Sequence, residues 1–249
     1  MVAVGRATRL VDYLADQDKC YCGDVVLGAA TDTDDAEGRV LYARDPSAIT
    51  MDRAVAALSG FLGEIDQIPP QFSAIKLQGR KAYEIARKGG TAQLAPRRVT
   101  IKGLSMIGWE PPTLSLLVCC SKGTYIRSLA RDLGERLGVG AHLGALVRIA
   151  SGPFTCEEAM GIEDLRLAAE FGYLDTLILP PDLAVTHLPA IIVSSAHALD
   201  MRGGRRWPAR GPLPKPGPVR VYSEEGSFLG LAELQEGSWQ PRLVLSEEQ

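Results

Sequence analysis

Leu114 to Cys120 is a β-type run rich in Leu and Val, and beyond Gly123 the leucines Leu129, Leu133 and Leu137 recur at helical spacing until Gly138 ends the pattern. A strand, a glycine turn and a helix are therefore predicted, with Cys120-Ser121-Lys122-Gly123-Thr124-Tyr125-Ile126-Arg127 at their junction. A second helical stripe, Met51, Ala54, Val55, Leu58, Phe61 and Leu62, follows Thr50 as N-cap and is closed by Gly63. Arg80 to Lys88 reads as a further helix ending at Gly89-Gly90. Between Leu174 and Pro189 the chain turns apolar and is broken by Pro180-Pro181 and Pro189. The tail then alternates in short strand-like runs around Gly203-Gly204, Gly211-Pro212 and Lys215-Pro216-Gly217-Pro218, the pattern of a small β-barrel. The fold class expected is α+β: a mixed, mostly antiparallel sheet flanked by helices over residues 1–185, and a small barrel over residues 186–249.

Composition changes this picture only in its details. A chain of 249 residues, 46% of them hydrophobic, is long enough for one large core and one small one. Its net charge of −3 argues against a polyanion partner, but the distribution reverses that. Lys76, Arg80, Lys81, Arg87, Lys88, Arg97, Arg98 and Lys102 meet one acid, Glu84, and the six basic residues between Arg202 and Arg220 meet none. From Glu157 to Asp182 seven acids face only Arg166, as in a solvated outer face. Two separated basic clusters on an acidic chain favour a polyanion partner, with Arg80, Lys81, Arg205 and Arg206 as candidate contacts.

No run approaches the roughly 20 apolar residues of a membrane helix, and the N-terminus has no signal-peptide pattern. A cytoplasmic protein without a membrane partner is expected, as a monomer. The five cysteines, Cys20, Cys22, Cys119, Cys120 and Cys156, form no C-x-x-C pair, and the three histidines are scattered far from them. Neither a disulfide framework nor a metal site is expected. The strand-to-helix junction is the strongest candidate for chemistry. Backbone N–H groups at a helix start attract anions, Gly123 permits close approach, and Lys122 and Arg127 add charge.

Three further blocks carry more. They are Lys19-Cys20-Tyr21-Cys22-Gly23-Asp24, Thr31-Asp32-Thr33-Asp34-Asp35-Ala36-Glu37-Gly38, and Ile68-Pro69-Pro70-Gln71-Phe72-Ser73-Ala74-Ile75-Lys76 with Gly79, Ala82 and Tyr83. With the junction, Gly140-Ala141-His142-Leu143, Leu146-Val147-Arg148 and Gly152-Pro153-Phe154, this ordered set resembles the bacterial tRNA pseudouridine-55 synthases of the TruB type. The tail from Gly226 to Leu245 is similar to a PUA RNA-binding domain.

The resemblance implies isomerisation of uridine-55 in the T-arm of tRNA, with no metal or organic cofactor. A carbon–nitrogen glycosidic bond breaks, the uracil turns, and a carbon–carbon bond replaces it. The base must leave its stack, at a cost of a few kcal/mol, and an aromatic partner recovers about 1–3 kcal/mol. Tyr21 matches the family's stacking aromatic, whose phenol is also placed to take the proton leaving the base carbon. Arg127 matches the arginine that pairs with the nucleophilic aspartate. Tyr125 corresponds to a pocket wall, facing away from Arg127 if the segment is extended. Lys19 and Lys76 would contact phosphate and Leu146 would form an apolar floor; Val147-Arg148 stands where the family usually has two arginines.

One element of the resemblance is absent. The family's nucleophile lies in a Gly-Thr-Leu-Asp-Pro loop closely followed by a strand similar to Val2–Leu10, yet no Leu-Asp-Pro occurs in the 249 residues. Arg127 is therefore expected to lack its partner, and the chain as given to make no pseudouridine. Asp32, Asp34 and Asp35 lie in a turn where Asx side chains bond their own backbone, so they are not expected to substitute. The alternative reading is a protein that binds tRNA, and helps it fold, without chemistry.

Overall fold

The computed structural model describes residues 1–77, 79–87, 89–211 and 214–245, so Lys88 and Pro212 lie outside the described residues. The chain forms two compact units: Asp16–Ser151 with Thr155–Glu157, and Met1–Ala15, Gly152–Phe154 and Glu158–Gln249. This division differs from the boundary expected at 185/186, because the first fifteen residues and 158–185 cluster with the tail.

Residues Gly5–Leu10 form a 3-10 turn leading into α1 (Val11–Ala15), where a strand was expected. Leu10 and Leu14, four residues apart, bury one helical face with Val185, Leu231 and Leu243. Gly5 adopts φ 55°, which a strand does not use.

The larger unit begins with β1 (Lys19–Leu27), β2 (Ala29–Thr31), β3 (Val40–Ala43) and α2 (Met51–Ser59). It continues through β4 (Gly63–Gln67), β5 (Lys76–Leu77), β6 (Arg80–Lys81), α3 (Ala82–Arg87), β7 (Arg97–Glu110) and β8 (Thr113–Cys120). Then come α4 (Ile126–Leu137), β9 (Ala141–Ser151) and β10 (Phe154–Thr155). The main sheet has the order β10-β9-β1-β8-β7-β4, antiparallel from β9 to β4. On β8 the alternate residues Leu114, Leu116, Val118 and Cys120 are buried, and Leu129, Leu133 and Leu137 of α4 join the same cluster. Gly138 ends α4 in the left-handed conformation at φ 81°, as the pattern implies. A Cβ on Gly134 would lie 2.1 Å from the backbone nitrogen of Ala141, so only glycine lets α4 approach the start of β9 this closely.

Three local expectations shift. The Thr50 hydroxyl does cap α2, accepting from the Arg53 N–H, but the buried face is only Ala54 and Leu58, and the helix stops at Ser59 before Gly60. Gly63 instead opens β4 at φ 93°. The helix expected from Arg80 starts at Ala82, because Arg80 and Lys81 pair with Leu77 and Lys76 in a hairpin. Finally, Cys20 and Cys119 form a disulfide. They are 99 residues apart in sequence but directly opposite each other on β1 and β8, a proximity that only strand register creates.

The other unit adds α5 (Ile162–Glu170), β11 (Ala190–Val193), α6 (Ser195–Arg202) and β12 (Trp207–Pro208). Its last strands are β13 (Pro218–Ser223), β14 (Phe228–Gln235) and β15 (Ser238–Val244). These five strands make a curled half-barrel in the order β11-β13-β14-β15-β12, packed around Met201, Trp207, Val219, Val221 and Trp239. Among the described residues no helix is long and apolar enough to cross a membrane.

Candidate nucleotide pocket

The junction between β8 and α4 is held by an amide that the sequence reading missed. Tyr125, the N-cap of α4, has no side-chain cap of its own. Its N–H donates to Gln67 Oε1 at 2.8 Å, and its carbonyl accepts from Gln67 Nε2 at 3.1 Å. Gln67 is 1% exposed, so both bonds are shielded from water. Ser128 Oγ and Arg131 Nη2 each donate to the Ile68 carbonyl at 2.8 Å. Four bonds thus fasten the end of β4 to the start of α4. The only signal in the sequence is a glutamine where a strand meets Ile68-Pro69-Pro70.

Around this seam Tyr21, Tyr125, Arg127 and Leu146 line one cleft of about 320 Å³, with Pro70, Phe72, Ser73 and Ala74 also in its wall. Tyr125 and Arg127 do not face opposite ways. The helix already begins at Ile126, so the alternation of an extended segment does not apply. Arg148 is opposite Tyr21 in the β1–β9 register. Lys19 lies two residues before Tyr21, with Nζ donating to the Gln17 carbonyl at 2.6 Å.

The remaining candidates lie away from the cleft wall. Lys76 faces Lys81 across the β5–β6 hairpin and Arg80 faces Leu77. Lys81 and Arg87 both stack over the Tyr83 ring, at 5.5 and 5.4 Å from its centre. In the other unit Arg205 donates to Asp200 at 3.0 Å, and Arg206 donates to Gln240. Lys122, expected to charge the junction, is paired with Asp16 at 2.6 Å.

In place of the family's nucleophilic aspartate, which the 249 residues lack, Arg127 meets Asp35: Nη1 is 2.9 Å from Asp35 Oδ2. Asp35 also behaves as an Asx turn residue, with Oδ1 accepting from the Thr33 hydroxyl at 2.7 Å and the Glu37 N–H at 3.1 Å. Its neighbour Asp34 stands at φ 59° and pairs with Arg131 at 2.9 Å. Burial pushes the Asp34 carboxyl up to about 6 against the pull of Arg131. Burial also raises the Tyr21 phenol, with Cys120 adding to the rise and Arg148 opposing it, so Tyr21 stays neutral at pH 7. Lys19 is lowered by burial and then by Arg148.

Residues 1–126 match the family model of the TruB family pseudouridylate synthase N-terminal domain. Residues 127–186 match that of the tRNA pseudouridylate synthase B C-terminal domain, and 189–245 that of the pseudouridine synthase II TruB C-terminal domain. The chain belongs to the TruB family. It is 45% identical to the tRNA pseudouridine synthase B of Thiobacillus denitrificans, over 98% of this chain and 81% of that relative. The Dehalococcoides mccartyi protein of the same name is 39% identical, again over 98% and 81%. Among solved structures, a chain of a Cbf5-Nop10-Gar1 complex matches with TM-score 0.69 and 25% identity, over 98% of this chain and 70% of that one. A chain of an H/ACA RNP bound to a substrate RNA containing 2'-deoxyuridine matches in fold, with TM-score 0.72 and 21% identity over 98% of this chain and 71% of that one. The α+β architecture with a C-terminal β domain is therefore the TruB architecture, and pseudouridine formation in tRNA is the chemistry for which its relatives are named.

Proposed function

We propose that this TruB-family chain binds the T-arm of tRNA and takes uridine-55 into the cleft of Tyr21 and Leu146. The convergence of Tyr21, Tyr125, Arg127 and Leu146 on one cleft, from three distant parts of the sequence, carries the reading. Tyr21 stacks on the flipped base, and Leu146 and Tyr125 supply apolar walls. Tyr21 stays protonated at pH 7 beside Arg148, so to take the proton that leaves the base carbon after the new carbon–carbon bond has formed, its phenol must pass its own proton on to water.

Arg127 positions a carboxylate through its guanidinium. In this chain that carboxylate belongs to Asp35, and a guanidinium with five donors still has capacity for a second anion. Asp35 itself is a poor nucleophile, because Thr33, Glu37 and Arg127 already occupy its oxygens. Lys19, Lys76 and Arg148 contact phosphate or base near the cleft, and Arg80 and Lys81 extend that surface. Residues 1–185 act as the synthase part and 186–249 as a PUA-like RNA-binding part carrying Arg205 and Arg206. The protein works as a cytoplasmic monomer. Because the 249 residues contain no Leu-Asp-Pro, the chain as given binds without turnover, which also keeps the reading of a tRNA-binding and folding protein in view.

A T-arm stem-loop with uridine at position 55 and one abasic there test this directly. The uridine RNA is expected to bind about five- to a hundredfold more tightly, the worth of one stacked base. Equal affinities would overturn the cleft as the uridine site. Mapping of uridine isomerisation after incubation is expected to show none, and turnover would return Asp35 to consideration as nucleophile.

A further inference from the structure

We infer that Gln67 is a positioning residue that sets the width of the base site, and with it the preference for a pyrimidine over a purine. This deepens the reading above and rests on it. Two segments of the cleft wall, one with Pro70, Phe72 and Ala74 and one from Thr124 to Arg127, are distant in sequence, and their spacing decides what the cleft admits. Gln67 stands at the root of both. It is the last residue of β4, paired with Arg97 of β7, and the chain runs from it through Ile68 and Pro69 into the first segment. Its side chain reaches across to Tyr125, 58 positions on, in the second.

The clasp needs a primary amide. Oε1 accepts from the Tyr125 N–H at 2.8 Å while Nε2 donates to the Tyr125 carbonyl at 3.1 Å, and neither a hydrocarbon nor a carboxylate of similar length satisfies both groups. The same carbonyl accepts from the Leu129 N–H at 3.1 Å, so Tyr125 also opens the hydrogen bonding of α4. Tyr125 is thereby held extended, at φ −106° and ψ 112°, one residue before the helix begins. Without the amide its N–H loses its partner, and the nearest replacement is the Ser121 carbonyl four residues back, reached by winding Tyr125 into the helix. That swings the ring off its wall and widens the cleft. Ser128 and Arg131 do not duplicate this control, because they bond the Ile68 carbonyl from within the helix and leave Tyr125 untouched. The first segment is stiff by comparison: Pro69 and Pro70 restrict the chain after Gln67, and Gln71 grips the Ala92 backbone at 3.1 and 2.8 Å. A narrow spacing between the two segments suits the single ring of a pyrimidine and excludes the fused rings of a purine.

The test is binding by the full chain to T-arm stem-loops with uridine, adenosine or no base at position 55. The native chain is expected to prefer uridine to adenosine, and Gln67→Leu to reduce that preference about tenfold, chiefly by admitting adenosine. Gln67→Glu gives a readout that a packing role does not move. As a neutral acid it accepts from the Tyr125 N–H and donates to the carbonyl, as the amide does; ionised, it only accepts. Burial raises the pKa of such a carboxyl, so Gln67→Glu is expected to discriminate like the native chain at about pH 5 and like Gln67→Leu at about pH 8. This comparison is made within one variant and stands even if Gln67→Leu fails to fold. Leu58→Ala, in the core of the same unit and outside the cleft wall, is expected to lower the melting temperature and keep the native preference. Native discrimination in Gln67→Leu, a Gln67→Glu preference that does not change with pH, or an equal loss in Leu58→Ala would overturn the role of Gln67 while leaving the cleft as the uridine site. So would a native chain that binds uridine and adenosine alike but prefers both to the abasic RNA. Equal native affinity for all three RNAs would overturn both.

Discussion

Asp34 and Asp35 are neighbours in sequence, and they pair with Arg131 and Arg127, one turn apart on α4, at the same distance of 2.9 Å. The two pairs nevertheless sit in different surroundings. The Arg131 and Asp34 side chains are 20% and 11% exposed, and Arg131 also holds Asp132 and the Ile68 carbonyl. Arg127 is 41% exposed and lines the cleft. A pair withdrawn from water must be complete, because losing one partner strands the other in a low dielectric. In the cleft-side pair Asp35 is 17% exposed, close to its counterparts, so the contrast lies in the arginine, which solvent screens at Arg127 and not at Arg131. One set of residue types therefore forms a buried pair in the first case and a pair with a half-exposed arginine at the cleft in the second.

The sharpest way to break this contrast is to remove each arginine in turn. Arg131→Met leaves Asp34 buried without a counter-charge and is expected to cost about 3–5 kcal/mol in urea unfolding at pH 7. Arg127→Met should cost less than about 1 kcal/mol in the same measurement. Comparable losses would show that the buried and the cleft-side pair do not differ in kind.

A smaller effect lies in the pH dependence. Asp34 has a folded-state value of about 6, above the unfolded value of 3.8, so its folded form holds the proton more tightly. Its contribution to stability is then fully present below pH 4 and is lost as pH rises through 6. Relative to Asp34→Asn, the native protein should lose roughly 2–3 kcal/mol of unfolding free energy between pH 4 and pH 7. A flat difference across that range would mean that Arg131 fully offsets the burial of Asp34. The smallest change is expected from Asp35→Asn, whose amide oxygen still accepts from Thr33 and Glu37 and which should shift stability by no more than about 0.5 kcal/mol. A larger loss would give the cleft-side pair the structural role assigned here to Asp34 and Arg131.

Local periodicity made much of this protein legible. The alternation on β8, the leucines of α4 and the glycine that stops it follow from pleat and helical pitch alone, and each lies where the pattern puts it. The family resemblance implies that Tyr21, Tyr125 and Leu146 surround one base, and the fold brings them together with Arg127 in one cleft. What escaped was non-local. The disulfide joins residues 99 apart, Arg131 reaches Asp34 across 97, and Gln67 clasps Tyr125 across 58. The run Val2–Leu10, similar to a family strand, holds Val, Ala and Leu that fit both periods, and burial of Leu10 beside Val185 and Leu231 decides for a 3-10 turn entering a helix.

The sequence by itself determined the family, the two kinds of β architecture and the residue types available for chemistry, since these rest on composition, ordered motifs and local period. Tertiary structure alone decided which aspartate meets which arginine and which cysteines bond. Those outcomes depend on strand register and chain closure, and a shift of one residue in β1 against β8 would part Cys20 from Cys119.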